Sequence, residues 1–204
     1  MNIPRTARIA APAVAALTLT LAFAGPASAD PAFVMRSGSQ INLAALPGES
    51  NNITFSISSG FLQVSDSGNV LTPGPGCVRF SNPNTVRCGS GGSVTRIQAS
   101  LGDRDDVATN ETSIPSDLVG GEGDDVLVGG SGNDRLTDSD GWNASPGTTT
   151  TFNGRGGNDT IISRNGGFDR INCGESAFDF DMLLADAATL DAVVPNTCEF
   201  VQRF

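Results

Sequence analysis

Residues 120–137 read GGEGDDVLVGGSGNDRLT, two consecutive nine-residue units that superpose without a gap. Each unit has the order Gly, Gly, any, Gly, Asp or Asn, Asp, any, aliphatic, any. Gly120, Gly121 and Gly123, then Gly129, Gly130 and Gly132, supply backbone that turns tightly without a Cβ clash. The triplets 126–128 and 135–137 that follow read as short strands, and the two-residue alternation of strand side chains points Leu127 and Leu136 inward. Turn and strand alternate at a fixed step, so the chain must wind as a stack of similar coils.

Asp125 and Asp134 each set a carboxylate at the end of a turn, beside carbonyl oxygens that such a turn leaves unpaired. Hard oxygen ligands clustered in this way suit calcium (Ca2+), which takes six to eight of them in flexible geometry. Degenerate units flank the tandem. Residues 101–109, LGDRDDVAT, put Asp106 at the ligand position although Arg104 replaces the third glycine; residues 154–162, GRGGNDTII, place Asp159, and residues 164–172, RNGGFDRIN, place Asp169. Between residues 137 and 154 the register breaks, with a long segment in place of a short turn, and Phe152 is expected to keep the inward strand position.

The nonapeptide resembles the RTX, or haemolysin-type, calcium-binding repeat. The resemblance covers residues 101–172 and implies an all-β fold, a right-handed parallel β-roll with two repeats per coil and calcium between same-side turns of neighbouring coils. Carried over residue by residue, it makes Asp125 and Asp134 the leading metal ligands, in turns shaped by Gly121, Gly123, Gly130 and Gly132, with Asp106 and Asp159 next. The alternation of sides pairs Asp106 with Asp125, nineteen residues apart against an ideal of about eighteen for two nonapeptides. It pairs Asp134 with Asp159 on the opposite side, where the long intervening segment works against regular stacking. Asp124 and Asn133, in the variable position, are expected to stabilise the turns from the solvent side.

The chain starts with Arg5 and Arg8, an apolar run over residues 9–23 and the small residues Ala27-Ser28-Ala29, the pattern of a secretory signal peptide. An uncleaved anchor is the alternative, but the run is short for a membrane span. The remainder, from Asp30, is 175 residues long with a net charge of −12, because the leader removes two arginines and no acid. Seventeen Asp and five Glu face no Lys and no His, and such a surface repels nucleic acid and anionic membranes. No later stretch is apolar enough to span a membrane, and the mature chain is expected to be a secreted, extracellular monomer.

Residues 30–100 alternate apolar or β-branched runs at 32–34, 40–43, 53–57, 62–64, 78–80 and 94–97 with turn clusters, and no run exceeds about six residues. This reads as a β-rich N-terminal part that continues into the roll and caps its first coil, since an open terminal rung invites edge pairing. With the leader, the PGPGC turn and a second cysteine, the whole looks like small secreted calcium-binding proteins of high-GC Gram-positive bacteria. The expected division is signal peptide 1–29, N-terminal part 30–100, roll 101–172 and cap 173–204.

Four cysteines in an exported protein read as two disulfides. Three pairings are open; Cys77 with Cys88 and Cys173 with Cys198 is favoured because each pair is close in sequence and the two bracket the roll. A cysteine metal site lacks a CxxC spacing and any His. Beyond Cys173, residues 182–185, 193–194 and 200–201 are candidate final strands, with a helical turn across 185–192 as the alternative.

The first functional reading is a non-catalytic calcium-binding scaffold. Lack of His and Lys removes Ser-His, Cys-His, HExxH and lysine-based catalysis, and leaves a calcium-dependent polysaccharide-acting enzyme built on carboxylates or Arg as an alternative. A third reading is an adhesin that meets an extracellular polysaccharide or cell-surface partner through Trp142, the only Trp, or the threonine run 148–151.

Overall fold

A computed structural model describes residues 32–138, 148–174 and 179–204. The expected signal peptide, residues 1–29, and the Trp142 segment lie outside the described residues. Those described form two nine-stranded sheets and a single 3-10 turn, Gly91–Ser93, so the fold is all-β.

The N-terminal strands are β1 (Ala32–Ser37), β2 (Gln40–Ala44), β3 (Asn52–Ser58), β4 (Phe61–Asp66), β5 (Leu71–Pro73), β6 (Val78–Phe80) and β7 (Asn82–Ser90). β1 with β2, β3 with β4, and β7 with both β4 and β6 pair antiparallel. Two of these strands carry no clear signal in the sequence. β5 has three residues, one a proline; β7 runs for nine, beyond the expected length, and opens on Asn-Pro-Asn. Flanking antiparallel partners and the Cys77–Cys88 disulfide hold β7 extended where local preference is weak.

The coiled part comprises β8 (Arg96–Asp103), β9 (Val107–Asn110), β10 (Ser116–Glu122), β11 (Val126–Val128), β12 (Arg135–Thr137), β13 (Thr151–Asn153), β14 (Thr160–Ile162), β15 (Arg170–Asn172), β16 (Met182–Ala185), β17 (Ala192–Val193) and β18 (Phe200–Arg203). Even-numbered strands stack in the first sheet, odd-numbered ones in the second, and every neighbour pair is parallel. This is a parallel β-solenoid. The winding already includes β2 and β3, which pair parallel with β8 and β9.

Two side-chain ladders fill the interior. In the first sheet Leu43, Ala99, Leu118, Leu136, Ile161 and Leu183 lie in register; in the second, Ile53, Ala108, Leu127, Phe152 and Ile171 do, and all are buried. A three-residue strand buries only its middle residue, as in β11 to β14, because neighbouring side chains face opposite sides. Phe152 takes the inward position expected of it. The helical alternative after Ala185 reduces to one tight turn, closed by the Leu190 and Asp191 N–H groups on the Ala187 carbonyl. Among the described residues no helix is long and apolar enough to cross a membrane.

Candidate metal sites

The turns fall on two sides of the solenoid. Those leading from the first sheet to the second end at Asn51, Asp106, Asp125, Thr150, Asp169 and Asp191, each directly before a strand. Along this column the side chain of one turn accepts the backbone N–H of the preceding turn end. Asn51 N–H donates to Asp106 Oδ1 (2.7 Å), Asp106 N–H to Asp125 Oδ1 (2.9 Å) and Thr150 N–H to Asp169 Oδ1 (2.8 Å). A short acidic side chain at the turn end thus reaches exactly one coil back, close to the strand spacing of about 4.8 Å.

The opposite column runs Ser116, Asp134, Asp159, Asp181, Glu199 and follows the same rule. Ser116 N–H donates to Asp134 Oδ1 (2.6 Å), Asp134 N–H to Asp159 Oδ1 (2.8 Å), Asp159 N–H to Asp181 Oδ1 (2.8 Å) and Asp181 N–H to Glu199 Oε2 (2.7 Å). Both expected pairs are therefore neighbours, Asp106 with Asp125 and Asp134 with Asp159. β12 belongs to the first sheet and β13 to the second, with Thr150 in the Asp125 column, and Asp134 stacks on Asp159 in the other column.

The carboxylates differ in what remains free. Asp134 is saturated: Oδ1 also accepts the Ser116 hydroxyl (2.7 Å) and the Asn110 amide (3.5 Å), and Oδ2 accepts Gly130 N–H (2.6 Å). Asp106, Asp159 and Asp169 are almost fully buried, and Oδ2 of each has no hydrogen-bond partner. A buried carboxylate oxygen with nothing to balance it is costly, which makes these atoms places where a cation fits.

Backbone carbonyls supply the rest of the donor set. Gly121 (φ +121°) and Gly123 (φ +138°) hold conformations that disfavour a side chain, and a Cβ on them would collide with the carbonyls of Gly102 and Arg104 in the preceding turn. Gly130 and Gly132 likewise face the carbonyls of Thr112 and Ser113 across the opposite turn. These close approaches line the gap between turns with oxygens. Among the described residues no three acidic, His or Cys side chains converge on one point. A cation here draws on carbonyls as well as on carboxylates spaced one coil apart, a mixture that suits calcium.

Burial dominates the electrostatics. It pushes the Asp106 carboxyl up to about 6, Asp169 up to about 7 and Asp159 up to about 8, and it raises Asp134, Asp181 and Asp191 too. Backbone N–H donors pull the other way without offsetting it. Around Asp159 the carboxylates of Asp134, Asp181 and Asp179 add to the rise. Arg96 and Arg135 pair with Asp117 instead.

Residues 118–144 and 150–171 match the family model of the RTX calcium-binding nonapeptide repeat, in four copies. The chain carries RTX calcium-binding repeats. Such repeats imply calcium as the ion, and the carbonyl-lined gaps and bare carboxylate oxygens fit it. The coils outside the match, β8 with β9 and β16 with β17, stack in the same register as the matched ones. No curated protein and no solved structure matches the chain.

Asp124 and Asn133 stabilise turns as expected: both are exposed, and their side chains accept the N–H groups of Thr149 (2.7 Å) and Asn158 (2.9 Å) in the next turn. The threonine run forms no flat outer face, because Thr150 is buried at a turn end and Thr151 opens β13. Both favoured disulfides are present, Cys77–Cys88 and Cys173–Cys198. Sequence reasoning did not include Asp181, Asp191 and Glu199 among the site residues. Their signal is an acid immediately before a short apolar run, the same placement as Asp134 before Arg135-Leu136.

Proposed function

We propose that the protein is an exported, non-catalytic scaffold that folds on binding calcium outside the cell. The observation that carries this reading is the set of buried, bare oxygens on Asp106, Asp159 and Asp169, each in a gap between coils that also contains turn carbonyls. Calcium in these gaps would be held by Asp106, Asp125, Asp159 and Asp169, with carbonyls of the glycine turns. Asp134, fully satisfied by protein donors, acts as a turn anchor on this reading. The apo chain brings like charges together and must order a glycine-rich backbone, so binding free energy becomes folding free energy. A calcium-poor cytoplasm then keeps the chain open until the leader of residues 1–29 has carried it out.

Calorimetric titration of the chelator-stripped mature chain with calcium, followed by circular dichroism, tests this. Binding with a gain of β signal is expected. Asp159→Ala should lose one ion, whereas Asp134→Ala should keep the ion count and lose about 1–3 kcal/mol of stability through its unpaired donors. No binding at millimolar calcium, or a spectrum unchanged by chelation, overturns the proposal.

A further inference from the structure

The two ends of the solenoid are finished differently. At the N-terminal end the first sheet stops at β5, where Gly74 N–H reaches the Val34 carbonyl of β1 (2.7 Å) and the backbone of Pro73 faces the open side with no N–H to offer. The Cys77–Cys88 disulfide ties down the start of β6, the last strand of the second sheet there. At the C-terminal end the first sheet stops at β18, which has no proline and is exposed along its whole length. The N–H groups of Phe200 (3.0 Å) and Phe204 (3.2 Å) donate to the carbonyls of Asp181 and Ala185, on the β16 side. Backbone groups alternate along a strand, so those of Val201 and Arg203 face outward. Among the described residues no strand pairs with that edge.

The interior is unfinished at the same edge. Val201 continues the ladder of the first sheet, in register with Leu183, yet it is 40 % exposed where Leu183 is 0 %. Val194, directly after the last strand of the second sheet, is exposed as well. An outward row of N–H and C=O groups beside an uncovered apolar position is a template for another strand. Glu199 and Arg203 stand two residues either side of Val201, so antiparallel pairing of β18 with its own copy about Val201 sets each Glu199 opposite the partner's Arg203. Both side chains are oriented within the chain, Glu199 Oε2 by Asp181 N–H (2.7 Å) and Arg203 Nη1 by the Asp186 carbonyl (2.9 Å), and a carboxylate and a guanidinium each keep further atoms for a partner. We infer that the C-terminal edge docks a second copy of this chain, β18 against β18 about a two-fold axis, in place of the monomer expected from the sequence. The two nine-stranded sheets then run on as one, and Val201 completes the ladder against its counterpart. An isologous contact of this kind closes at two copies. It uses none of the carboxylates assigned to calcium, so it stands apart from that reading.

Sedimentation velocity of the full mature chain in calcium reads the assembly. The parent is expected as a dimer that dissociates on dilution. Val201→Pro removes an N–H that faces the open edge, and it should sediment as a monomer with the circular dichroism of the parent. Arg203→Glu sets like charges opposite each other twice and should raise the dissociation constant about tenfold; an unaltered constant overturns the pairing. Should Val201→Pro fail to fold, Val201→Cys takes its place. Antiparallel pairing brings the two Cα atoms to about 5.5 Å, so a short bis-maleimide should link the copies through position 201, where no native free thiol competes. Absence of that link overturns the proposal. So does a parent that stays monomeric up to millimolar concentration, a dimer that Val201→Pro leaves intact, or an assembly larger than two copies.

Discussion

The N-terminal strands and the repeat coils share two continuous sheets, yet they are held together by different forces. In the N-terminal part, the strands bring Val34, Ile41, Ile53, Phe55, Leu62, Val64, Leu71, Val86 and the disulfide-bonded Cys88 together at the wide end of an apolar core that continues into the repeats. In β11 to β14 each strand has three residues and buries one, and the turns between them carry buried acids. Apolar burial scales with the number of inward side chains, so a repeat coil gains far less from it than an N-terminal hairpin does. The turns of the repeats hold six carboxyls that burial pushes upward, so in their ionised form they oppose folding unless a donor or a cation faces them. On the calcium reading proposed above, the first region stands on its own packing and the second is conditional on the ion.

The largest test of that contrast is removal of metal. With chelator, backbone amides of β11 to β15 should exchange with solvent deuterium rapidly, while those of β1 to β4 stay protected; added calcium should restore protection across the repeats. Hydrogen exchange resolved by mass spectrometry reads this directly. Equal protection of both regions in chelator would erase the distinction.

How much of this was legible in the sequence follows the same division. The repeats were readable nearly residue by residue, because a parallel coil repeats one local solution and places Leu127, Leu136, Phe152 and Asp159 by counting. The roll was also legible where the glycines are lost, as at Arg104, which takes the turn with a positive φ of its own. β7 was not, since its extension comes from partners distant in sequence. Nor does any spacing encode the burial of Asp66, whose Oδ1 is held by the N–H groups of Asn52, Gly68 and Asn69 because β4 folds back antiparallel on β3.

Core truncations sharpen the comparison at the next level. Phe152→Ala removes the largest inward side chain of the repeats and Phe55→Ala one of comparable burial in the N-terminal part; each should cost about 3–5 kcal/mol in calcium. In chelator the two part company. Phe152 then lies in a region already open, so its truncation should add little, whereas Phe55→Ala should cost as much as before. Urea unfolding of both variants in the two buffers measures the difference, and a full Phe152→Ala cost in chelator would mean that the repeats stay packed without metal.

The smallest effect is the response to pH, and its sign discriminates most finely. Asp106, Asp169 and Asp159 have folded values of about 6, 7 and 8 against an ordinary 3.8. Between about pH 4 and 8 the folded chain therefore holds protons that the unfolded chain has released, and the stability tied to them is present at low pH and lost as pH rises through those folded values. Around Asp159 the neighbouring carboxylates of Asp134, Asp181 and Asp179 raise the folded value further, and around Asp169 those of Asp191 and Asp138 do. Metal-free protein should accordingly gain β signal and melting temperature on acidification from about pH 8 to about pH 5. Calcium binds the ionised form and competes with those protons, so the rise in melting temperature that it produces should grow over the same interval as pH increases. A calcium effect of equal size at both ends of the interval would mean that the buried acids are not where the ion acts.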